Sequence, residues 1–171
     1  VMDLWPETLS VAGGIQNKLV LKYYNSVITS FYNNSEKILI TSRGFKKSIL
    51  KKGDFEEKII YFPNWAEDVI SEGNKKCLIP DLPKGFKIMF AGNLGESQDL
   101  ENILNAFLEL KSNKKIKLIL VGEGRKVDFI RKFIEINNLK ETVFMAGNHP
   151  IEKMASFFAK ADAMLITLKK D

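Results

Sequence analysis

Apolar positions along the chain switch between two rhythms, and the switches mark out the elements. Val1 to Leu4 reads as the tail of a strand that turns at Trp5-Pro6, and Gly13-Gly14 punctuates the chain before the first long helix. From Asn17 onward Val20, Tyr24, Val27, Ile28 and Phe31 recur at helical spacing, with Leu21 and Tyr32 broadening the face and Asn33-Asn34-Ser35 ending the helix. Residues 37–41 then predict a short buried strand. Ser42 is the expected cap of a helix over 43–52, with Phe45, Ile49 and Leu50 inward and Gly53 as its exit. A further strand is expected at 58–62, stopped by Pro63-Asn64. Between Trp65 and Gly85 the periodicity fades, as a linker between domains would, with room for a short helix over 66–71.

Regularity returns at Phe86. Strands are predicted at 86–91, 117–121, 142–146 and 163–168. Between them lie helices over 98–111, burying Leu100, Ile103, Leu104, Phe107 and Leu108, and through Val127, Ile130, Phe133 and Ile134. A third, over 151–160, carries Met154, Ala155 and Phe158. Three strand–helix units in succession predict right-handed crossovers and an α/β fold with a parallel sheet. The last strand has no covering helix after it and the first enters near its own end, so the sequence reads as a piece of a longer protein truncated at both ends.

Composition narrows the class. The chain is 45% hydrophobic and 27% charged, the balance of a folded globular protein. No uninterrupted apolar run reaches the length of a membrane-spanning helix. The start has no basic region ahead of an apolar one, as a secretory signal would. The single cysteine, Cys77, rules out an internal disulfide framework and suits a reducing compartment. The net charge of +5 is spread along the chain without the aromatic interleaving of a nucleic-acid surface. It would attract a phosphorylated ligand or an anionic membrane without choosing between them.

Chemistry-bearing residues gather at the predicted strand ends, where ligands bind in open parallel sheets. Gly92, Asn93, Leu94 and Gly95 follow the first strand of the second region, and Gly122, Glu123, Gly124 and Arg125 follow the second. Asn148 and His149 follow the third. The glycines serve either tight turns or the close approach of a ligand to backbone donors. Neither loop reads as a dinucleotide fingerprint or a P-loop. Arg125 is either a phosphate contact or a solvated first-turn residue, and Glu123 either accepts from a hydroxyl-rich ligand or lies on the surface. Glu96 and Asp99 suit the start of a helix. His149, the only histidine, has no cysteine or second histidine beside it to build a zinc site; it lines a cleft or sits exposed on a loop. Asp162 organises a turn. Asp3 lies near a strand end, where it could touch a polar substrate. Lys18 and Lys22 flank a broad apolar surface that serves either a core or a membrane.

Six segments, in this order and spacing, resemble retaining GT-B glycosyltransferases of the family 4 type. They are DLWPE at 3–7, ITSRGFKKSILKKG at 40–53, IIYFPNW at 59–65, FAGNLGESQDLENIL at 90–104, LILVGEGR at 118–125 and FMAGNHPIEKMASFFAKADAMLITL at 144–168. Within that family the chain is most similar to bacterial transferases of N-acetylfucosamine or related amino sugars in capsule or O-antigen biosynthesis. The resemblance implies parts of two Rossmann-like domains: an acceptor-binding portion at 1–64, a linker at 65–84 and a nucleotide-sugar donor portion at 85–171. It implies a UDP-linked sugar as donor substrate, no separate cofactor, no metal, and a glycan or lipid-linked sugar as acceptor. Residues 92–95 and 122–125 would lie near the donor, 147–150 near its base, and Asp3 at the cleft face as a catalytic candidate. Transfer with retention would use a same-face route. The parent would work in the cytoplasm, at the inner face of the membrane, with peripheral attachment to it, and this piece alone would turn over little. Relatives often carry an Arg and a Lys that grip the diphosphate; the matching region here has Asn93 and Gln98. Where relatives often have a basic residue just before DLWPE, this chain has Met2, and it ends ahead of the family's E-x7-E segment. Two other readings stay open on the residues alone: a non-catalytic α/β interaction module, and another sugar-nucleotide enzyme.

Overall fold

The computed structural model describes residues 1–11, 15–65 and 77–169. The chain divides into two compact units, Val1–Trp65 and Ala66–Asp171. The helix expected over 66–71 lies outside the described residues.

The first unit runs α1 (Glu7–Val11), α2 (Lys18–Asn34), β1 (Ile38–Ile40), α3 (Phe45–Leu50) and β2 (Ile59–Tyr61). The strands pair in parallel, Ile38 against Ile59 and Ile40 against Tyr61. Asn17 caps α2 by accepting from the N–H groups of Leu19 and Val20. Tyr32, Ile38, Ile40, Ile49 and Phe55 form the core, with Ile28 and Phe45 against them. Lys52 ties the helices together: its ammonium, on a side chain only 6% exposed, meets Glu7 Oε1 at 3.0 Å and Asn25 Oδ1 at 2.8 Å. The Tyr32 hydroxyl is pushed above the ordinary phenol range, first by burial and then by the charge of Glu7.

Several expectations change here. No strand is assigned before Trp5, although Thr41 N–H donates to Val1 O alongside β1. The helix α1 was not foreseen, because five residues offer too little periodicity to read. The strand at 37–41 shortens to three residues and is buried on one face only, with Leu39 exposed. Ser42 sits two residues ahead of the N-cap position, which falls at Gly44, and its Oγ accepts from Gly44 N–H at 3.3 Å. On α2 Val20, Leu21, Val27 and Ile28 are half-buried and Tyr32 buried, whereas Leu19, Tyr23 and the expected inward residues Tyr24 and Phe31 are exposed.

The second unit runs β3 (Phe86–Ala91), α4 (Leu100–Glu109), β4 (Ile116–Val121), α5 (Val127–Ile136), β5 (Val143–Gly147), α6 (Met154–Phe158) and β6 (Ala163–Met164). Its strands form one parallel sheet in the order β5-β4-β3-β6. Leu118, Ile119, Leu120 and Val121 of the central β4 are all at most 1% exposed. Alternate side chains serve opposite layers. Phe90, Leu118 and Leu120 pack with Leu104, Phe107 and Ile130 of α4 and α5, while Met89, Ile119 and Val121 pack with Phe157 of α6. Both faces are therefore apolar, which is why β4 reads as an unbroken hydrophobic run. Ile79 and Leu82, in the stretch expected to be linker, pack on the α6 side of this sheet.

Two features depart from the pattern. Leu108 stands at the rim of the α4 stripe and is 37% exposed, so it does not join the core. The strand expected at 163–168 keeps its ladder only as far as Leu165, whose N–H donates to Met89 O. Beyond it the chain turns to the loop after β3, with Thr167 Oγ1 on Gln98 O and Lys169 N–H on Ser97 O. Asp162 seats β6. Its carboxylate accepts from Lys87 N–H at 2.7 Å, its own N–H donates to Lys87 O, and Lys87 Nζ lies 3.1 Å away.

Phe157→Ala, emptying a site with no exposure, should cost about 3–5 kcal/mol in urea unfolding, whereas Leu108→Ala should cost less than about 1 kcal/mol. The hydrogen bonds from Lys87 hold the Asp162 carboxyl below its ordinary pKa. A depressed carboxyl contributes stability above its unfolded pKa and loses it as pH falls through the folded one. Asp162→Asn should therefore flatten the acid limb of stability, below about pH 4, and leave its shape near neutrality unchanged.

Candidate functional site

At the carboxyl ends of β3, β4 and β5 the three following loops border an open cavity of about 290 Å³. Its lining is Gly92, Asn93, Val121, Gly122, Glu123, Asn148, His149 and Met154. Six of the ten residues singled out at the strand ends thus meet around one space, and Val121 and Met154 join them. The sequence pattern assigns those two to the core, and nothing in their spacing distinguishes an apolar wall of a cavity from an apolar core.

Backbone contacts between loops build this space. The β3–β4 ladder continues past the strands: Gly92 N–H donates to Val121 O, Leu94 N–H to Glu123 O and Lys126 N–H back to Leu94 O. Gly122 N–H reaches Gly147 O on the other side. A Cβ on Gly122 would lie 1.9 Å from Gly92 O, and one on Gly124 would lie 2.4 Å from Leu94 O. Both glycines also have positive φ, +133° and +159°. Their absent side chains let two loops touch. The freedom is spent between backbones, which accounts for these glycines without a ligand. Gly95 and Gly124 also leave the gap that holds the Asn93 side chain, whose amide atoms would lie within 2.7 Å of a Cβ at either position.

His149 is fixed on two sides. Its ring lies 4.8 Å from that of the buried Phe157, and Nε2 is 2.9 Å from Ala146 O. A carbonyl only accepts, so Nε2 carries the proton and the neutral ring keeps Nδ1 as an acceptor. Among the described residues Glu123 brings the one carboxylate to the lining, and no Lys or Arg lines it.

The charges around the loops are largely paired. Lys126 Nζ lies 3.1 Å from Glu96 and 3.8 Å from Glu101, and Lys169 Nζ lies 3.9 Å from Glu96. These pairs fasten the turn Glu96–Gln98 to the start of α5 and to the chain after β6, so Glu96 serves structure more than a helix start. Asp99 holds φ +50° and accepts from the Asn102 amide at 2.6 Å. Arg125 is exposed and forms no ion pair among the described residues. Leu94, Gly95, Gly124 and Arg125 do not line the cavity. At the start of α5 the N–H of the cap residue Lys126 donates to Leu94 O and that of Val127 to Gly124 O. Asp3 belongs to the first unit, where it is exposed and precedes Trp5. Among the described residues no group of three or more His, Cys, Asp or Glu is placed to hold a metal ion, and no helix is long and apolar enough to cross a membrane.

The family model "Glycosyl transferases group 1" matches residues 79–170, over half of the chain and all three cavity loops. The chain belongs to this family. A Pseudomonas aeruginosa protein named "Probable glycosyltransferase WbjE" is 24% identical over 99% of this chain and 44% of its own length. The Campylobacter jejuni N-acetylgalactosamine-N,N'-diacetylbacillosaminyl-diphospho-undecaprenol 4-alpha-N-acetylgalactosaminyltransferase is 29% identical over 85% of this chain and 39% of its own. Among solved structures, Anabaena HepE in complex with UDP superposes with a TM-score of 0.65 at 14% identity, over 87% of this chain and 43% of that one. The group 1 chain therefore has the GT-B type of α/β fold, with a Rossmann-like parallel sheet in each unit. It spans between 35% and 44% of the length of the curated relatives it matches.

Gly122→Ala places a methyl group on a carbonyl and should destabilise by more than about 2 kcal/mol. Gly147→Ala meets no atom within 4 Å and bears only the strain of φ +83°, about 1 kcal/mol. Thermal melts of the two variants should separate accordingly.

Proposed function

We propose that the full-length protein transfers a sugar from a UDP-linked donor to a lipid-linked or glycan acceptor with retention of configuration. Residues 85–171 are the donor-binding portion, residues 1–64 part of the acceptor-binding domain, and 65–84 the link between them. The observation that carries the reading is the cavity at the strand ends, within the segment matched by the glycosyl transferase family.

The lining suits the nucleoside part of a donor. Val121 and Met154 give apolar walls, Glu123 accepts from ribose hydroxyls, and His149 Nδ1 accepts an N–H or O–H. A carboxylate with no cation beside it repels a diphosphate. The phosphates therefore lie outside the cavity, along the loops 92–95 and 122–125, where Arg125 is a cation without an ion pair among the described residues. In the transfer an acceptor hydroxyl bonds to C1 of the sugar and the C1–O bond to the diphosphate breaks. The nucleotide departs with the electron pair, and the hydroxyl proton is given up to a base. Asp3 is the candidate to contact the acceptor. The amino-sugar reading draws support from the Campylobacter relative, and the lipid-linked acceptor from the same name. A lipid-linked acceptor puts the parent in the cytoplasm at the inner face of the membrane, peripherally attached.

Titration of the full-length protein with UDP by calorimetry tests this. UDP should bind with a micromolar to millimolar Kd, while Glu123→Gln and His149→Gln should each weaken it about fivefold or more at unchanged melting temperature. Binding of UDP that ignores both substitutions would reject the cavity as the nucleoside site.

A further inference from the structure

The first unit gathers a second set of groups at the carboxyl end of its own strands, the end where ligands meet open parallel sheets. Val1 N donates to Leu39 O and Val1 O accepts from Thr41 N–H, so Val1 brackets Ile40 as a residue of a parallel pair does. Ile40 is in turn level with Tyr61 of β2. Asp3, Arg43 and Tyr61 therefore lie at one edge, on three neighbouring lengths of chain. The Arg43 guanidinium sits over the Tyr61 ring, 4.9 Å from its centroid, and that ring is 45% exposed. Among the described residues Arg43 is exposed, forms no ion pair with Asp3 or any other carboxylate, and donates no side-chain hydrogen bond. The stack covers one face of the guanidinium and leaves the N–H groups in its plane free to donate. Lys47, four residues on, is likewise exposed and without an ion pair, and both border an open depression of about 520 Å³ along α3. Lys46 beside them is taken by Glu56.

We propose that Arg43 is a specificity-determining residue for the acceptor, selecting one that carries a phosphate group. The inference rests on the reading of this unit as acceptor-binding and of Asp3 as the acceptor contact. A guanidinium offers two parallel N–H groups to two oxygens of one phosphate. The ring beneath Arg43 already holds it in place, so less freedom is lost when an anion binds. A phosphate with more than one negative charge is best met by two cations, and Lys47 borders the same depression; a carboxylate would need only one. Asp3 repels a phosphate and accepts from a hydroxyl. The two residues thus sort the two ends of one acceptor, hydroxyl toward Asp3 and phosphate toward Arg43. Lys18 and Lys22 of α2 are also exposed and without ion pairs, but among the described residues no ring orients either of them and neither borders this depression.

The full-length protein is titrated by calorimetry with geranyl diphosphate as a soluble phosphate-bearing probe, in the presence of UDP to occupy the donor loops. Glucuronate serves as the carboxylate probe and should bind about tenfold more weakly or not at all. Arg43→Ala should weaken geranyl diphosphate about tenfold or more. Arg43→Lys should weaken it about threefold, since the charge stays and the fork is lost, and Tyr61→Phe should keep the parent affinity. Lys18→Ala with Lys22→Ala should change it less than about twofold, as distant exposed charges are screened. All variants should bind UDP and melt as the parent does. The proposal is overturned by no binding of geranyl diphosphate, by glucuronate binding as tightly, or by Arg43→Ala binding as well as the parent. A loss as large from the α2 pair, or an equal loss of UDP affinity in Arg43→Ala, overturns it too. A protein that takes geranyl diphosphate through Arg43 but does not bind UDP rejects the donor reading and supports this one.

Discussion

The contact between Gly122 and Gly92, backbone against backbone, governs the second unit beyond its strands. Because β3 and β4 stay hydrogen-bonded through these residues and on to Leu94 and Glu123, the loops leave the sheet as a coupled pair. The cavity exists because the loops lean on one another while the β5 loop, held through Gly147 O, stands on the other side. Backbone contacts of this kind need no ligand to form, so the space is preformed and its shape is a property of the fold.

Charge then decides what the preformed space admits. Lys126 and Lys169 are drawn to Glu96, and Lys87 to Asp162, so the cations nearest the sheet fasten loops and β6. These pairs are partly exposed, and each contributes little alone. Together they stitch the chain after β6 to the loop after β3, where Thr167 and Lys169 add two backbone-directed hydrogen bonds. The lining is left apolar and faintly acidic, which favours an uncharged, hydroxylated ligand portion over a phosphate.

The parallel sheet of the second unit was legible because burial of both faces of β4 forces an unbroken run of apolar residues, and because each crossover helix has a clean stripe. Leu108 shows the limit of that reading: spacing identifies a stripe, but the packed neighbours set where its rim falls. Short elements were beyond reach. α1 has five residues, and β6 stops as a strand when Thr167 and Lys169 find partners on another loop, which no local pattern encodes. In the site, Asn93, Glu123, Asn148 and His149 were readable from their place at strand ends. Glu96 was not, since its role depends on Lys126 and Lys169, thirty and more residues away. The glycines were recognised as special, yet the sequence could not say that Gly122 and Gly124 face other backbones.

Asn93 and Gln98 stand where the glycosyltransferase resemblance implies a pair of diphosphate-gripping cations, and both are uncharged. The backbone carbonyl of Gln98 accepts from Thr167 Oγ1, and the Asn93 side chain occupies the gap left by Gly95 and Gly124 beside the cavity. In the proposed donor site, charge stabilisation of the departing nucleotide therefore falls to groups on the outer side of the loops, of which Arg125 is the unpaired one among the described residues of the β4 loop.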